Sequence, residues 1–191
     1  MSLEGILPFA RTLLDQSVNN GGVAVDATAG NGHDTAYLAN LVGETGRVFS
    51  FDVQQQAIDA TKQKLLDHSL NERVQLINDG HEKAADYIRE AGFDGIDTAV
   101  FNLGYLPGSD KTIVTKPHST ITAVEQLFQL LRPGGMIVLV VYHGHEEGKN
   151  EKQSLETYVQ SFDQSQASVL EYKYVNQKNH PPFIWVIEKR K

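Results

Sequence analysis

The sequence contains no cysteine, which excludes a disulfide framework and a thiolate metal site. No apolar run approaches the roughly 20 residues of a membrane-spanning helix. The opening "MSLEGILPFARTLLDQ" lacks the basic segment and small-residue cleavage site of a secretory signal. A cytoplasmic protein with no membrane partner is the expectation. Basic charge is also scarce: 17 Lys and Arg face 24 Asp and Glu, a net charge of −7. Sequence-independent binding to long nucleic acid rests on many Lys and Arg contacts to phosphate. This balance therefore argues against DNA as a partner, but it leaves room for a local basic path to one RNA loop. Lys173, Lys178, Lys189, Arg190 and Lys191, near the C-terminus, read as a solvated strand edge rather than as that path. No repeat, low-complexity tract or linker divides the 191 residues, a length that suits one α/β domain over 1–191. No Gly-Lys-Ser/Thr follows a glycine loop, so a P-loop is excluded.

What is present alternates. Ile6, Phe9, Ala10, Leu13, Leu14 and Val18 recur at helical spacing in a first amphipathic helix. "GGVAVDA" reads as strand one, with the helix "HDTAYLANLV" behind a glycine loop. "GRVFSFDV" is strand two, "QQAIDATKQKLLDHS" a helix, "RVQLIND" strand three and "EKAADYIREA" a helix. "IDTAVFNLG" is strand four and "TITAVEQLFQLL" a helix stopped by the turn "RPGG"; "MIVLVVYHG" is strand five. Residues 151–163 supply a last helix. "ASVLEYKYVNQ" and "PPFIWVIEKR" then lack a helix between them and pair as an antiparallel hairpin at one sheet edge. The expected fold is α/β and Rossmann-like: a mostly parallel seven-stranded sheet with a C-terminal antiparallel hairpin and helices on both faces.

The glycine loop "GNGHDT" follows a strand and precedes a helix, the setting of a nucleotide-type ligand. It meets the dinucleotide fingerprint only in part, because Thr35 stands where the third glycine belongs. A tight turn without a ligand is the bland alternative. Asp52, at the end of strand two, suits the ribose of either NAD or S-adenosylmethionine. Asp26, directly ahead of the loop, favours a cationic amino-acid moiety and repels a dinucleotide pyrophosphate. "FNLGYLPG" puts a polar-aromatic cluster at the carboxyl end of strand four, where open α/β sheets bind ligands. With the terminal hairpin, these features resemble the class I S-adenosylmethionine-dependent methyltransferases.

The resemblance extends to four motifs, "DATAGNGHDT", "FNLGYLPGSDKTIVTKPHST", "RPGGMIVLVVYHGH" and "NQKNHPPFIWVIEK", and runs from about residue 6 to 189. Together they resemble the bacterial family labelled putative rRNA methylases. That family is now associated with a tRNA methyltransferase converting wobble 5-aminomethyl-2-thiouridine to its methylaminomethyl form. The first motif alone also resembles the rRNA cytosine-N4 methyltransferases. The resemblance implies S-adenosylmethionine as cofactor, a tRNA anticodon loop as partner and a homodimer.

Carried over by position, Asp26, Ala27, Gly30 and Asn31 line the methionine end of the cofactor, and Gly30 and Gly32 permit close approach. Thr28 replaces the glycine common in methyltransferases, and its hydroxyl bonds the loop or the cofactor. Asp34 either caps the following helix or reaches the cofactor. Asp52 accepts from the ribose hydroxyls, with Val53 or Gln54 flanking the adenine. Asp79, Gly80 and His81 lie where this fold contacts the adenine amine, though Asp79 also suits a plain turn. "NLGY" resembles the Asn-Pro-Pro-Tyr box of methyltransferases acting on planar amino groups. By that likeness Asn102 and the Leu103 carbonyl accept from the amine and Tyr105 packs on the base. Leu103 and Gly104 stand where the box has its prolines, which makes the loop less rigid.

An alkylamine is cationic at neutral pH, with a lysine-like pKa near 10, so a base or solvent must take its proton. Tyr142, His143 and His145 are at hand at the end of strand five, His143 being the preferred base; a loop role without catalysis is the alternative for each histidine. No metal is expected. The long polar stretch after strand four offers Lys111, Thr115, Ser119 and Thr120 to anticodon phosphates or as cover for the cofactor. Asn179 and Pro181, in "NQKNHPP", offer a second wall to the RNA loop. The leading reading is N-methylation of the wobble uridine's aminomethyl group. An rRNA base or a small metabolite as acceptor, a non-catalytic cofactor-binding module, and a nicotinamide-dependent oxidoreductase rank behind it.

Overall fold

A computed structural model describes residues 3–104, 115–143, 146–179 and 181–190, with the backbone only for 146–151. The chain runs α1 (Ile6–Ser17), β1 (Val23–Asp26), α2 (His33–Val42), β2 (Arg47–Phe51), α3 (Gln55–Asp67), β3 (Val74–Ile77), α4 (Ala84–Glu90), β4 (Ile96–Leu103), α5 (Pro117–Leu130), β5 (Leu131–Val141), α6 (Glu146–Gln160), β6 (Ala167–Tyr172) and β7 (Phe183–Lys189). The seven strands form one sheet in the order β3-β2-β1-β4-β5-β7-β6. β1 to β5 pair in parallel, and β7 runs antiparallel between β5 and β6.

The central strands are apolar on both faces, as a parallel sheet covered by helices requires. Alternate residues divide between two cores. Ala24, Val48, Val74, Val100 and Val138 pack with α1, α2 and α3 on one face. Val25, Phe49, Ala99, Phe101 and Ile137 pack with α4, α5 and α6 on the other. Helices therefore cover both faces, and the strand order reverses between β1 and β4. The connections leaving β1 and β4 run to helices on opposite faces there, and ligands of open α/β sheets bind outside the carboxyl ends of such strands.

Two expectations need correction. "RPGG" is not a turn outside the strand; β5 runs through it, with a register shift between the Ile96–Leu131 and Thr98–Met136 pairs. Gly134 takes φ +82° in that irregularity. Buried Asp97 anchors the same stretch, accepting from Arg132 Nη1 at 3.0 Å and from the Asn19 backbone N–H at 3.0 Å. The last helix also starts at Glu146, five residues before the expected 151.

The C-terminal cations hold structure together. Lys189 Nζ donates to the Phe128 and Gln129 carbonyls at 3.0 and 3.1 Å, satisfying free acceptors at the end of α5. Lys173 pairs with Glu171, and Arg190 Nε donates to Ser168 Oγ at 2.9 Å. At the opposite end, Phe9 stacks on Tyr172 with centroids 4.1 Å apart, and Tyr172 and Tyr174 both donate to the Glu4 carbonyl. These contacts hold α1 against the outer strand. Among the described residues no helix is long and apolar enough to cross a membrane.

Candidate active site at the carboxyl ends of β1 and β4

A cleft of about 920 Å³ opens at the β1–β4 reversal, near the upper end of the volumes typical of small-molecule sites. Its walls include Ala27, Thr28, Gly30, Asn31 and Asp34 after β1, and Asp52, Val53 and Gln54 after β2. Asp79, Gly80 and His81 follow β3, Asn102 and Gly104 close β4, and Tyr142 follows β5. Thr115 and Ser119 stand across from them. Six stretches of the sequence thus meet in one cavity.

The glycine loop is held by carboxylates. Asp52 accepts the Gly30 N–H on one oxygen at 3.0 Å and the Gln54 N–H on the other at 2.9 Å. Each oxygen keeps a second lone pair for a ligand hydroxyl. Gly30 itself takes φ +53°. Gly32 also has positive φ (+73°), but its reason for being glycine is internal. A Cβ there would stand 2.9 Å from the Thr61 Cα on α3, so α3, and not a ligand, makes the close approach.

Asp26 is fully buried and absent from the cleft wall. Its carboxylate takes the Thr35 hydroxyl at 2.6 Å and the Thr28 N–H at 3.1 Å. Burial first, and the nearby Asp34 charge second, push its pKa up to about 7. The expected contact between Asp26 and a cationic ligand group is thus replaced by a buried support for the loop. Thr28 bonds the protein: its hydroxyl accepts the Asn102 backbone N–H at 2.7 Å.

Asp79 accepts from Lys83 Nζ at 2.9 Å and Tyr87 Oη at 3.1 Å, along with its neighbour's Gly80 N–H. The Lys83 bond holds its pKa below the usual carboxylate value. Those bonds commit it to the turn. His81 is 8% exposed, with Nδ1 3.0 Å from the Ala27 carbonyl. That contact makes Nδ1 the protonated nitrogen, and burial lowers its pKa. Its Nε2 is buried without a protein partner among the described residues.

At β4, Asn102 Nδ2 donates to Asp34 Oδ2 at 2.8 Å. Asp34 makes no capping bond to α2, whose N-cap is Gly32. The bond to a carboxylate fixes the amide orientation, because the reverse would set oxygen against oxygen. The side-chain oxygen of Asn102 is left as an acceptor. Leu103, expected to supply the second acceptor, is absent from the cleft wall. Its side chain lies in the core and its carbonyl takes the Tyr142 N–H at 3.0 Å, as sheet pairing dictates.

β5 sorts its end by alternation. Val140 and Tyr142 face the cleft, whereas His143 lies in a separate hollow with Lys152, Glu171, Lys173, Pro181 and Phe183. Its ring meets Phe183 edge-on at 5.3 Å. His143 therefore does not reach the cleft as a base. Tyr142 does face it, its pKa raised by burial and then by the Asp34 charge. Thr115 and Gly104 bond each other in both directions, Gly104 N to Thr115 Oγ1 at 3.1 Å and Thr115 N to the Gly104 carbonyl at 3.2 Å. Thr120 is a further correction: it is fully buried on α5 and does not line the cleft. Asn179 is exposed in the β6–β7 connection. Tyr105, Lys111 and His145 lie outside the described residues.

The sequence reading missed α1. Leu7, Ala10, Arg11 and Leu14 line the cleft. Their i, i+3, i+4, i+7 spacing was visible, but it reads equally as a core face. Arg11, stacked over Tyr37 at 5.1 Å, was the one residue in that stripe whose type did not fit a core.

Fold and cleft together define a class I methyltransferase, the Rossmann-like class that uses S-adenosylmethionine. Residues 48–188 match the family described as "Putative rRNA methylase", and the chain belongs to it. A solved rRNA-methylase-named protein from Clostridium thermocellum superposes with TM-score 0.95 at 41% identity, covering 99% of this chain and all of its own. A methyltransferase-named protein from Streptococcus mutans, solved in complex with SAH, superposes with TM-score 0.88 at 36% identity, covering 98% of this chain and 99% of its own. The chloroplastic tRNA (mnm(5)s(2)U34)-methyltransferase of Arabidopsis thaliana is 31% identical over 189 residues, 94% of this chain and 68% of that protein.

Proposed function

We propose that this chain is an S-adenosylmethionine-dependent N-methyltransferase acting on the 5-aminomethyl group of (2-thio)uridine at the tRNA wobble position. The observation that carries the reading is Asn102. Thr28 holds its backbone and Asp34 its amide, which leaves one side-chain oxygen to accept a hydrogen bond from a substrate amine. The Arabidopsis relative's name supports a wobble-uridine acceptor, and the solved SAH complex of the Streptococcus mutans relative supports the cofactor.

The residues present fit that cofactor. Asp52 retains lone pairs for ribose hydroxyls, the Gly30 turn keeps side-chain bulk out of the wall, and His81 Nε2 is an unused buried acceptor. Gly30, Asn31, Asp52, Val53, Gln54, Gly80 and His81 would hold it, and when bound it supplies an electrophilic methyl group on sulfur. The protein's own work is to orient the acceptor nitrogen through Asn102 and to enclose it beneath Tyr142, Thr115 and Ser119. Proximity and orientation of this kind account for much of the rate gain in two-substrate reactions.

A homodimer belongs to the same reading, since Val169 and Leu170 stand exposed on the β6 edge, a surface that unpaired edge strands normally protect. Nucleoside mass spectrometry of tRNA from cells with and without the gene tests the function. Loss of the methylaminomethyl nucleoside with accumulation of the aminomethyl form is expected. An unchanged profile overturns the acceptor assignment and favours an rRNA base or a small metabolite.

A further inference from the structure

We infer that Asp34 is the specificity-determining residue for the acceptor, its carboxylate selecting a cationic alkylammonium over an uncharged uridine or aromatic amine. The inference rests on the proposed alkylamine acceptor and deepens it. Asp34 is half-buried in the cleft wall. Its Oδ2 takes the Asn102 amide at 2.8 Å, and among the described residues no hydrogen bond is made to its Oδ1. Among the described residues no ion pair reaches it, whereas Asp79, in the same wall, is neutralised by Lys83. A partly desolvated carboxylate without a counter-cation is costly unless a ligand supplies the charge.

The neighbours leave that role to Asp34. Asp26 is sealed in the protein and served by Thr35 and Thr28, and the Asp52 oxygens take the backbone N–H groups of Gly30 and Gln54. Asp34 differs from both: it is joined to the residue that orients the acceptor, and it bears electrostatically on Tyr142 across the cleft. An ammonium donates up to three hydrogen bonds. Asn102 Oδ1 and the Asp34 carboxylate give two acceptors bonded to each other through the amide, so one nitrogen can reach both. A neutral carbonyl or ring edge brings no charge to offset Asp34 and leaves it desolvated. The same carboxylate thus attracts the modified base and penalises the unmodified one.

The test is equilibrium binding of two anticodon stem-loops, one carrying 5-aminomethyluridine and one unmodified uridine, to protein saturated with S-adenosylhomocysteine. Wild type should favour the aminomethyl loop by roughly 10- to 100-fold, the range of a charge-assisted hydrogen bond. Asp34→Asn keeps size and an oxygen for Asn102 Nδ2, and should erase the preference while leaving affinity for S-adenosylhomocysteine and thermal stability as in wild type. Asp34→Glu, which keeps the charge, should restore part of it. In steady state, Asp34→Asn should raise KM for the aminomethyl loop more than it lowers kcat. A wild-type preference retained by Asp34→Asn overturns this role alone. Loss of cofactor affinity in Asp34→Asn overturns it in favour of a cofactor contact. Failure of wild type to methylate the aminomethyl loop overturns the proposed acceptor, and this role with it.

Discussion

Thr35 donates its hydroxyl proton to Asp26 across 2.6 Å, and both side chains are fully buried. The same hydroxyl lies 2.8 Å from Ser50 on β2, so one threonine ties β1, β2 and α2 beneath the glycine loop. The residue that breaks the dinucleotide fingerprint is therefore a structural bolt. Asp26 is the group that makes the arrangement sensitive to pH, with Asp34 and Asp52 as charged neighbours.

The first prediction follows from that burial. Asp26 has a folded pKa of about 7 against an ordinary value of 3.8. Below pH 3.8 both folded and unfolded chains keep the proton, and the group costs nothing. Between 3.8 and about 7 the unfolded chain ionises first, so stability falls as pH rises, and above 7 the loss is complete. The gap sets an upper bound of ~4 kcal/mol. Denaturant unfolding from pH 4 to 8 should show this fall in wild type and a flatter profile in Asp26→Asn. Identical slopes would mean that Asp26 ionises normally in the folded chain.

A second prediction concerns the glycine loop. Gly32→Ala forces φ +73° on a residue with a Cβ and sets that Cβ 2.9 Å from the Thr61 Cα. The left-handed conformation alone costs on the order of 1–3 kcal/mol for such a residue, and backbone cannot move aside as a flexible side chain can. Chemical denaturation should show a loss of at least that size. A smaller change would indicate that α2 and α3 separate easily.

S-adenosylmethionine or S-adenosylhomocysteine should raise the melting temperature by mass action, about 2.7 kcal/mol at a ligand concentration 100 times Kd, and NAD should not. Asp52→Ala removes the proposed ribose acceptors and frees Gly30 N and Gln54 N, so affinity should fall by about 1.5–3 kcal/mol. Calorimetry checks this; unchanged affinity removes Asp52 from the site.

Asn102→Ala should separate binding from chemistry. The Thr28–Asn102 bond uses the backbone N–H and survives the substitution, so the cofactor loop stays in place. Single-turnover methylation should slow on the order of 10²-fold while affinity for S-adenosylhomocysteine remains near wild type. Full activity would dismiss the amine-orienting role.

Much of this was legible in the sequence, because alternation and apolar runs report burial directly. Val23–Asp26, Arg47–Phe51 and Ile96–Leu103 were readable as strands, and the missing helix between the last two strands gave the antiparallel edge. The face of a side chain at the end of a strand was not legible. His143 and Tyr142 are adjacent in sequence, and only the phase of β5 decides that the tyrosine enters the cleft and the histidine does not. Partners across the sheet were equally hidden. Asp34 is 68 residues from Asn102, and a carboxylate in the first turn of a helix reads as a favourable dipole contact until its partner is known. For Asp79 the plainer reading, a turn residue, matches the bonds it makes.

The last prediction concerns the proton that an alkylamine must lose before it can react. Such an amine has a pKa near 10, so only a small fraction is neutral at pH 7, and that fraction rises about tenfold per pH unit. Single-turnover rates on an aminomethyl stem-loop, at saturating enzyme, should therefore climb by close to one log unit per pH unit from pH 6.5 to 9. An aromatic exocyclic amine is neutral throughout and contributes no such climb. Asp26, buried beneath the loop with a pKa of about 7, completes its titration by about pH 8, whereas the amine's climb continues to pH 9. His81 is pushed below 6.5 by burial, and Tyr142 is held above 10 by burial and the Asp34 charge. His143 sits in the neighbouring hollow, so His143→Ala should keep both the rate and the slope. A flat profile with chemistry shown to be rate-limiting would exclude a cationic alkylamine acceptor, and a bend near pH 6.5 that disappears in His143→Ala would return that histidine to the role of base.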